Sequence, residues 1–308
     1  MTEPLRRVAA YVVCADPEER VLLVRESDRS GTPGVWTLPG GGVWHGEHPE
    51  QAVAREAAEE AALSVAVDGV LDVVADVRIV PGQPVTLHTD RIIYTALADG
   101  EPGGPISPKV DEARWVTRDE AAAMQLRPFA ANALKLPLTA VDLPPERVPD
   151  LPSFLITDHP DGHPRVQRFA AYAVVHDPND QVLLTRIADG YPGAGRWHLP
   201  GGGTDFGEQP DEALLRELDE ETGHAGHIER LLGVASHHEP EQLGPEGFPI
   251  DWHGVRAFYE VQVEETRHPA AIEVGGSTAE ARWFAPDALP GLPVTEVTYE
   301  ALAAFRRP

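Results

Sequence analysis

Cysteine and lysine are nearly absent from this chain of 308 residues. Cys14 is the only cysteine, so no intrachain disulfide can form, and its apolar surroundings predict a buried thiol. Lysine occurs only as Lys109 and Lys135, and 50 acidic residues outnumber 25 basic ones, which gives a net charge of −25. A surface this acidic repels polyanions, so we expect no binding of nucleic-acid polymers or anionic membranes.

Long hydrophobic runs are also absent, although 42% of the residues are hydrophobic. No apolar stretch approaches the ~20 residues that a membrane-spanning helix requires. The first residues, LRRVAAYVVCAD, have the charge and apolar character of a short signal peptide. A similar segment, QRFAAYAVVHD, recurs at 167–177 inside the chain, and a segment present in both halves predicts a strand. We therefore expect a cytoplasmic protein.

An internal repeat organises the chain. Residues 7–63 align with residues 168–224 without a gap, and roughly half of the aligned positions are identical. The length suits two domains of about 150 residues better than one. Prolines recur between the two halves, which predicts a semi-rigid connector without helix. We predict a first domain over 1–140, a proline-rich linker over 141–164 and a second domain over 165–308.

Both halves predict the same order of elements: two strands, a helix, three further strands and a terminal helix. The strands expected in the first half are Val8–Cys14, Val21–Arg25, Leu71–Val80, Arg91–Ala96 and Ala113–Val116. Those expected in the second half are Phe169–Val175, Val182–Arg186, Ile228–Ala235, Val255–Val263 and Ala281–Phe284. The terminal helices are expected over Thr117–Met124 and Thr295–Arg306.

The second copy of the repeat contains a stretch rich in acidic residues, Gly202–His224. Pro210 begins a predicted helix, acidic residues fill its first turn, and Gly223 ends it. Three glutamates of this helix are spaced at i, i+3 and i+4 and so share one face: Glu217, Glu220 and Glu221. Their repulsion costs on the order of 0.2–0.5 kcal/mol for each pair, and a divalent cation that prefers oxygen ligands would relieve it.

A solvated acidic face is the ordinary interpretation of one such helix. The first copy, however, repeats six residues in the same register. Gly41, Glu47, Arg55, Glu56, Glu59 and Glu60 match Gly202, Glu208, Arg216, Glu217, Glu220 and Glu221. Helix propensity explains glutamates in general but not a repeated spacing, so we interpret both copies as functional sites.

Both copies resemble the Nudix box: Gly, five residues, Glu, seven residues, Arg-Glu, an aliphatic residue, any residue, Glu-Glu, any residue, Gly and an aliphatic residue. The run Leu-Pro-Gly-Gly-Gly fits the same motif, as Leu38–Gly42 and Leu199–Gly203. The resemblance implies a tandem Nudix hydrolase of fold class α/β. It would have two α/β/α sandwich domains, each with a mixed β-sheet and a loop–helix–loop box. Because duplicated copies of a self-associating fold keep complementary surfaces, we also expect an intrachain pseudo-dimer.

The resemblance further implies hydrolysis of a diphosphate linkage in a small molecule, usually a nucleoside diphosphate joined to another group, with Mg²⁺ or Mn²⁺ as cofactor. Phosphoryl transfer needs charge neutralisation and a positioned water, which agrees with clustered carboxylates. Two alternatives remain open: binding of a nucleotide ligand without catalysis in one or both domains, and action on an isoprenoid diphosphate. The box contacts the diphosphate and not the attached group, so it does not separate these alternatives.

By the same resemblance, each box supplies a set of metal ligands. They are Gly41, Glu56, Glu59 and Glu60 in the first copy and Gly202, Glu217, Glu220 and Glu221 in the second. The glycines would form a tight bend that exposes a backbone carbonyl to the metal. The catalytic residues implied are Glu217 with Arg216 and Glu56 with Arg55, supported by Glu208 and Glu47. Glu217 acts as a ligand or as the base for water, and in this family the base sometimes lies outside the box.

A second pattern, His-x-x-Arg-x-x-Tyr, also occurs in both halves. It places His88 and Arg91 in the first half and His253 and Arg256 in the second. Arginine and histidine are suited to binding phosphate oxygens, so we consider these four residues as substrate-binding candidates. A structural role at a strand edge explains the pattern equally well.

Both boxes depart from the family pattern without losing a carboxylate. In the first, Ala62 replaces the closing glycine and Ala57 replaces a larger aliphatic residue. If position 62 needs a positive φ, alanine there costs on the order of 1 kcal/mol. In the second, His224 stands where an aliphatic residue is usual. We expect two active sites, of which the second keeps the pattern more closely and is the more active.

Overall fold

The computed structural model describes residues 3–80, 82, 84–138, 154–157, 163–244, 247–264, 266–269 and 276–305. The chain divides into two compact units, which we call unit 1 (Met1–Leu151) and unit 2 (Pro152–Pro308). The predicted linker, 141–164, lies mostly outside the described residues. Its described part includes a short strand, Phe154–Thr157.

Unit 1 is built on a mixed sheet of seven strands in its described residues. The strands are β1 (Glu3–Ala15), β2 (Val21–Glu26), β3 (Trp36–Thr37), β4 (Gly40–Gly42), β5 (Ala66–Ile79), β6 (Val85–Leu97) and β7 (Val110–Val116). Their order is β3-β2-β1-β6-β5, with β4 paired to β1 and β7 paired to β2. The pair β1–β6 is parallel, whereas the other pairs are antiparallel. The helices are α1 (Pro49–Ala61), α2 (Arg118–Ala122) and α3 (Pro128–Ala133).

The central strand β1 explains the apolar run at the start of the chain. Val12 and Cys14 are fully buried there, as expected for a strand with neighbours on both sides. Burial, with a smaller contribution from Asp16, raises the pKa of the Cys14 thiol to about 11, so the thiol is unreactive. On one face of the sheet, Leu23 and Ile93 pack into a core that α2 and α3 close.

Unit 2 repeats this architecture, with one additional strand among the residues that the structure describes. Its strands are β8 (Phe154–Thr157), β9 (Arg165–His176), β10 (Val182–Ile187), β11 (Trp197–His198), β12 (Gly201–Gly203), β13 (His227–Leu243), β14 (Pro249–Gln262) and β15 (Thr278–Phe284). The order is β11-β10-β9-β14-β13, with β8 and β12 paired to β9 and β15 paired to β10. The helices are α4 (Pro210–Thr222) and α5 (Glu296–Phe305). The central pair β9–β14 is again parallel.

Two mixed sheets with few helices confirm the predicted fold class. The predicted helix Thr117–Met124 was too long, because Thr117 is the N-cap residue of α2 and Ala123 its C-cap. The sequence analysis missed α3, which begins at Pro128. The predicted strand Leu71–Val80 ends one residue too late, because β5 ends at Ile79. The last residue of the predicted helix Thr295–Arg306 lies outside the described residues. In the part of the chain described, no helix is long and apolar enough to cross a membrane.

Candidate active site

Each box begins in a glycine loop that connects the sheet to the box helix. Gly40 and Gly201 have φ angles of 143° and 132°. A Cβ on Gly40 would lie 2.3 Å from the carbonyl oxygen of Ala10. One on Gly201 would lie 2.2 Å from that of Ala171. Only glycine allows the loop to approach the central strand this closely, and that approach sets where the box helix begins.

The next glycine of each loop lies directly against a carboxylate of the helix. A Cβ on Gly41 would lie 2.5 Å from Oε1 of Glu56. One on Gly202 would lie 2.7 Å from Oε1 of Glu217. The structure therefore brings together the loop glycine and the first box glutamate in both units, two positions that the sequence pattern assigned to one metal site.

The last glutamate of each box is buried beneath the loop. Glu60 is 6% exposed and Glu221 is 5% exposed. Each accepts a hydrogen bond of 3.0 Å from the backbone amide of a loop glycine, Gly40 or Gly201. The hydroxyl of Thr278 also donates to Glu221, at 2.6 Å. Burial raises the pKa of Glu60 to about 8, so a negative charge at this position is unfavourable unless a positive charge lies beside it.

Arg216 connects three carboxylates of unit 2. Its guanidinium donates to Glu208 at 2.8 and 3.0 Å, to Glu217 at 3.0 Å and to Glu220 at 3.0 Å. Glu208 is only 2% exposed, so this network is anchored at its inner end. Burial raises the pKa of Glu217, and nearby Glu220 adds to the rise, whereas Arg216 opposes it. Glu217 is thus a carboxylate whose proton affinity is increased.

Arg55 forms the corresponding network in unit 1. It donates to Glu47 through Nε and Nη2, each at 2.9 Å, and to Glu56 at 2.7 Å. Its distance to Glu59 is 3.9 Å, so this pair is looser than the Arg216–Glu220 pair of unit 2. The side chain of Glu59 is 41% exposed, which leaves its carboxylate open to a cation.

The donor chemistry of both boxes fits a divalent cation of the Mg²⁺ type, which binds carboxylate oxygens. Each box helix presents one buried glutamate and two partly buried ones on the same face. The arginine balances only part of this charge. The residues that could hold a cation are Glu56, Glu59 and Glu60 in unit 1 and Glu217, Glu220 and Glu221 in unit 2.

A cleft of about 210 Å³ opens beside the box of unit 1. The carboxylates of Glu56 and Glu60 lie at its wall together with the glycine loop. Six basic residues line the cleft: Arg7, Arg29, Arg78, Arg91, Lys109 and Arg127. Sequence analysis identified only Arg91 among them. The others come from separate strands and loops, and no local spacing marks them.

The structure separates the arginines of the second repeated pattern from the histidines. Arg91 lines the cleft and forms a bidentate ion pair with Asp76, at 2.7 and 2.8 Å. Arg256 takes the same position in the ladder of unit 2 as Arg91 does in unit 1. After burial, which is the larger effect, the charge of Arg256 helps to lower the pKa of His198 to about 4.

The two histidines are fully buried within their sheets. His88 lies 3.0 Å from Asp90 and 3.4 Å from Arg6. His253 lies 3.0 Å from Gln167, and its other ring nitrogen lies 2.9 Å from Ser236. His88 does not line the cleft of unit 1. For the histidines, this placement favours the structural alternative over contact with phosphate.

Comparison with known proteins was consistent with the repeated site. Mouse diphosphoinositol polyphosphate phosphohydrolase 3-alpha is 43% identical over 68 residues, which cover 22% of this chain and 40% of that protein. The chain thus spans about two fifths of that relative's length. The 8-oxo-dGTP diphosphatase of Escherichia coli (strain K12) is 30% identical over 98 residues, covering 27% of this chain and 76% of that protein.

A solved structure of a MutT NUDIX hydrolase from Burkholderia pseudomallei is 28% identical and has a TM-score of 0.35. The matched region covers 42% of this chain and 96% of the Burkholderia pseudomallei protein. The NUDIX domain model matches twice, over residues 5–136 and over residues 166–305. One match lies in each structural unit, and together they span most of the sequence. The chain therefore belongs to the NUDIX family, as a tandem protein with two NUDIX domains.

Proposed function

We propose that each unit is a metal-dependent hydrolase that cleaves a diphosphate linkage in a small molecule. The supporting observation is the duplicated site: in both units a loop glycine donates to the last box glutamate, and the bridging arginine donates to the first. The two relatives described above are named as a diphosphatase and a phosphohydrolase, which agrees with this reaction class. We propose a nucleoside diphosphate linked to another group as the substrate.

The proposed cofactor is Mg²⁺ or Mn²⁺. In unit 2 it would be held by Glu217, Glu220 and Glu221 with the carbonyl of Gly202, and in unit 1 by Glu56, Glu59 and Glu60 with that of Gly41. When bound, the cation supplies charge neutralisation at the phosphate oxygens, which is the main requirement of phosphoryl transfer.

Neighbouring side chains hold the carboxylates of the box in position. Arg216 fixes Glu217 and Glu220 in position, and the buried Glu208 fixes Arg216. Glu217 accepts a proton from the attacking water. Arg55, Glu47 and Glu56 take these roles in unit 1.

The proposal is tested by measuring hydrolysis with full-length protein. A set of diphosphate compounds is incubated with Mg²⁺, and phosphate is quantified after phosphatase treatment. We expect Glu56→Gln to lower the hydrolysis by unit 1, and Glu217→Gln the hydrolysis by unit 2, by about 10²–10⁴-fold each. The double variant should lose the activity of both units. Glu229→Gln, an exposed acid on β13, is the matched control and should retain activity.

Metal binding is measured separately by calorimetry. Glu220→Gln with Glu221→Gln removes two charges but preserves side-chain shape, so Mg²⁺ or Mn²⁺ affinity at unit 2 should fall while the protein stays folded. Full hydrolysis by the double Glu56→Gln, Glu217→Gln variant would contradict the proposal. Nucleotide binding without turnover of any compound would favour the alternative of a ligand-binding module.

A further inference from the structure

The cleft of unit 1 is basic, although the protein as a whole is strongly acidic. Six basic side chains line it against three carboxylates, Glu26, Glu56 and Glu60. The entire chain, by contrast, has twice as many acidic as basic residues and a net charge of −25. A local reversal of charge in a concave site points to an anionic ligand.

Some of these cations are already balanced by acidic side chains. Arg91 pairs with Asp76, and Arg127 pairs with Glu26 at 2.6 and 3.0 Å. Each pair uses the guanidinium's ability to form two parallel hydrogen bonds. These arginines line the cleft, but part of their hydrogen-bonding capacity is used within the protein.

Arg78 differs from them. Its Nε is buried, and no hydrogen-bond partner for that atom is found among the described residues. No ion pair of Arg78 is found there either. Burial lowers the pKa of Arg78, and the neighbouring charges of Arg127, Arg7 and Arg91 lower it further. Four guanidinium groups therefore lie close together at this wall. Asp76 and Glu26 offset two of them, and an anion beside Arg78 would reduce the repulsion that remains.

The equivalent position in unit 2 carries the opposite charge. Arg78 of β5 pairs with Leu87 of β6, and Glu239 of β13 pairs with Trp252 of β14. Leu87 and Trp252 in turn pair with equivalent residues of the central strands β1 and β9. Glu239 thus takes the place of Arg78.

Three further cations of the cleft are lost in unit 2. Arg29 corresponds to Gly190, Lys109 to Ser277 and Arg127 to Thr295. The backbone hydrogen bonds that fix positions 109 and 127 recur at positions 277 and 295, which supports this alignment. Only two of the six remain, as Arg168 and Arg256. The two boxes are thus similar, whereas the positions that line the cleft carry fewer basic residues in unit 2 than in unit 1.

We propose that unit 1 selects substrates that carry phosphate groups beyond the diphosphate to be cleaved, with Arg78 as a specificity-determining residue, and that unit 2 takes substrates without them. This inference rests on the proposed function of both boxes. Arginine suits the role because its planar fork binds phosphate oxygens in pairs and stays charged when buried. Glu239 would repel an additional phosphate in unit 2.

The test measures binding of inorganic anions to the full-length protein by calorimetry, in the presence of a chelator so that metal plays no part. Inorganic tripolyphosphate and inorganic diphosphate are the two probes. We expect the wild type to bind tripolyphosphate more tightly, at one site for each chain. Arg78→Gln should weaken tripolyphosphate binding by at least about tenfold and diphosphate binding much less, because a charged hydrogen bond is lost.

Three variants sharpen the result. Arg78→Lys keeps the charge but loses the planar fork, so its tripolyphosphate affinity should lie between those of the wild type and Arg78→Gln. Glu239→Arg in unit 2 is the reciprocal change and should strengthen tripolyphosphate binding. Arg114→Gln removes an exposed arginine of unit 1 outside the cleft and should have no effect. Thermal unfolding of each variant verifies that it is folded.

Equal weakening of both probes by Arg78→Gln would overturn the inference, as would unchanged tripolyphosphate binding. The measurement requires neither metal nor turnover, so its failure leaves the hydrolase proposal intact. Conversely, if anion binding behaves as expected but no diphosphate compound is hydrolysed, the proposed function fails and the anion preference of unit 1 stands.

Discussion

The two box helices share what the chemistry needs and differ in the core behind them. Helices α1 and α4 are each 13 residues long, begin with proline and are followed by a residue in the left-handed conformation. In both, the last glutamate accepts a hydrogen bond of 3.0 Å from a loop glycine. The arginine of each helix donates to the preceding loop glutamate and to the first box glutamate. The first and last glutamates of the box are therefore held by the same contacts in the two units, whereas Glu59 lies farther from its arginine than Glu220 does.

The difference in the core is an exchange of sizes among three positions. In unit 2, Leu218 is fully buried. A Cβ on Gly226 would lie 2.8 Å from Leu218 and 2.5 Å from Val261, so this position must stay small. The equivalent positions of unit 1 hold the opposite sizes: Ala57, Val65 and Ala96. The changes compensate in part: the three side chains hold seven carbons in unit 2 and five in unit 1, although every position changes.

This exchange bears on the expected ranking of the two sites. We expected Ala57 and Ala62 to alter the first box and make the second site the more active. The matching hydrogen bonds of Glu60 and Glu221 show that the last glutamate of each box is held alike, so Ala57 and Ala62 do not displace it. The ranking itself stays a prediction, which the Glu→Gln variants test. The repeat thus keeps its main box contacts while its core and its cleft charge diverge.

The largest stability difference between the units should come from a buried charge in unit 1. Asp90 is 1% exposed, and Arg6 donates to it at 3.1 Å. The equivalent residue of unit 2 is Val255, beside the Gln167–His253 contact, which contains no carboxylate. Asp90→Asn leaves Arg6 buried without that carboxylate and should destabilise unit 1 by about 3–5 kcal/mol. Hydrogen exchange, measured peptide by peptide, should show faster exchange in unit 1 and none of this effect in unit 2.

The same carboxylate makes unit 1 sensitive to acid. Burial opposes its ionisation, but His88 and Arg6 outweigh burial and lower the pKa of Asp90 from its usual 3.8 to about 2. Ionised Asp90 thus stabilises the fold above pH ~4, and this contribution is lost as the pH falls towards 2. The free energy of unfolding of unit 1, measured with urea, should decrease as the pH falls from ~4 towards 2 in the wild type and decrease less in Asp90→Asn. Asp99→Asn, an exposed change in the same unit, should behave as wild type.

The next largest effect tests the size exchange. Leu218→Ala should destabilise unit 2 by about 2–5 kcal/mol, since it opens a cavity in the core. Adding Gly226→Val and Val261→Ala recreates the set found in unit 1 and should recover a large part of the loss. Thermal unfolding of the single and triple variants measures this. If the triple variant is no more stable than Leu218→Ala alone, the three positions are not one packing unit.

Local features of the boxes could be predicted from the sequence because short-range spacing carries them. Pro210 and Gly223 bound the helix α4, and the i, i+3, i+4 spacing places its glutamates on one face. The basic cleft could not be predicted in this way. Arg7 and Arg91 lie far apart in the chain, and only the register of the parallel pair β1–β6 brings them to one site. The burial of His88 likewise depends on partners from a neighbouring strand.

The smallest effect concerns the end of the box helix. Ala62 has a φ of 52° where the equivalent Gly223 has 71°, so position 62 does need the left-handed conformation. That conformation costs an alanine roughly 1–2 kcal/mol, part of which is offset because glycine loses more entropy on folding. Ala62→Gly should therefore stabilise unit 1 by up to about 1 kcal/mol. Gly223→Ala should destabilise unit 2 by a similar amount.

A neighbouring glycine makes this prediction sharper. The amide of Gly103 donates to the carbonyl of Ala61 at 2.8 Å, and a Cβ on Gly103 would lie 2.7 Å from the Cβ of Ala62. Gly103→Ala should therefore destabilise the wild type, because the two methyl groups cannot both fit without a shift of the loop. In the Ala62→Gly background the methyl group of Ala62 is absent, so Gly103→Ala should change the free energy of unfolding very little. The double-mutant cycle should give a coupling on the order of 1 kcal/mol, measured by urea unfolding. Additive effects would mean that the loop itself, and not the methyl group of Ala62, causes the destabilisation by Gly103→Ala. The absence of a side chain at Gly103 would then not explain why unit 1 tolerates alanine at position 62.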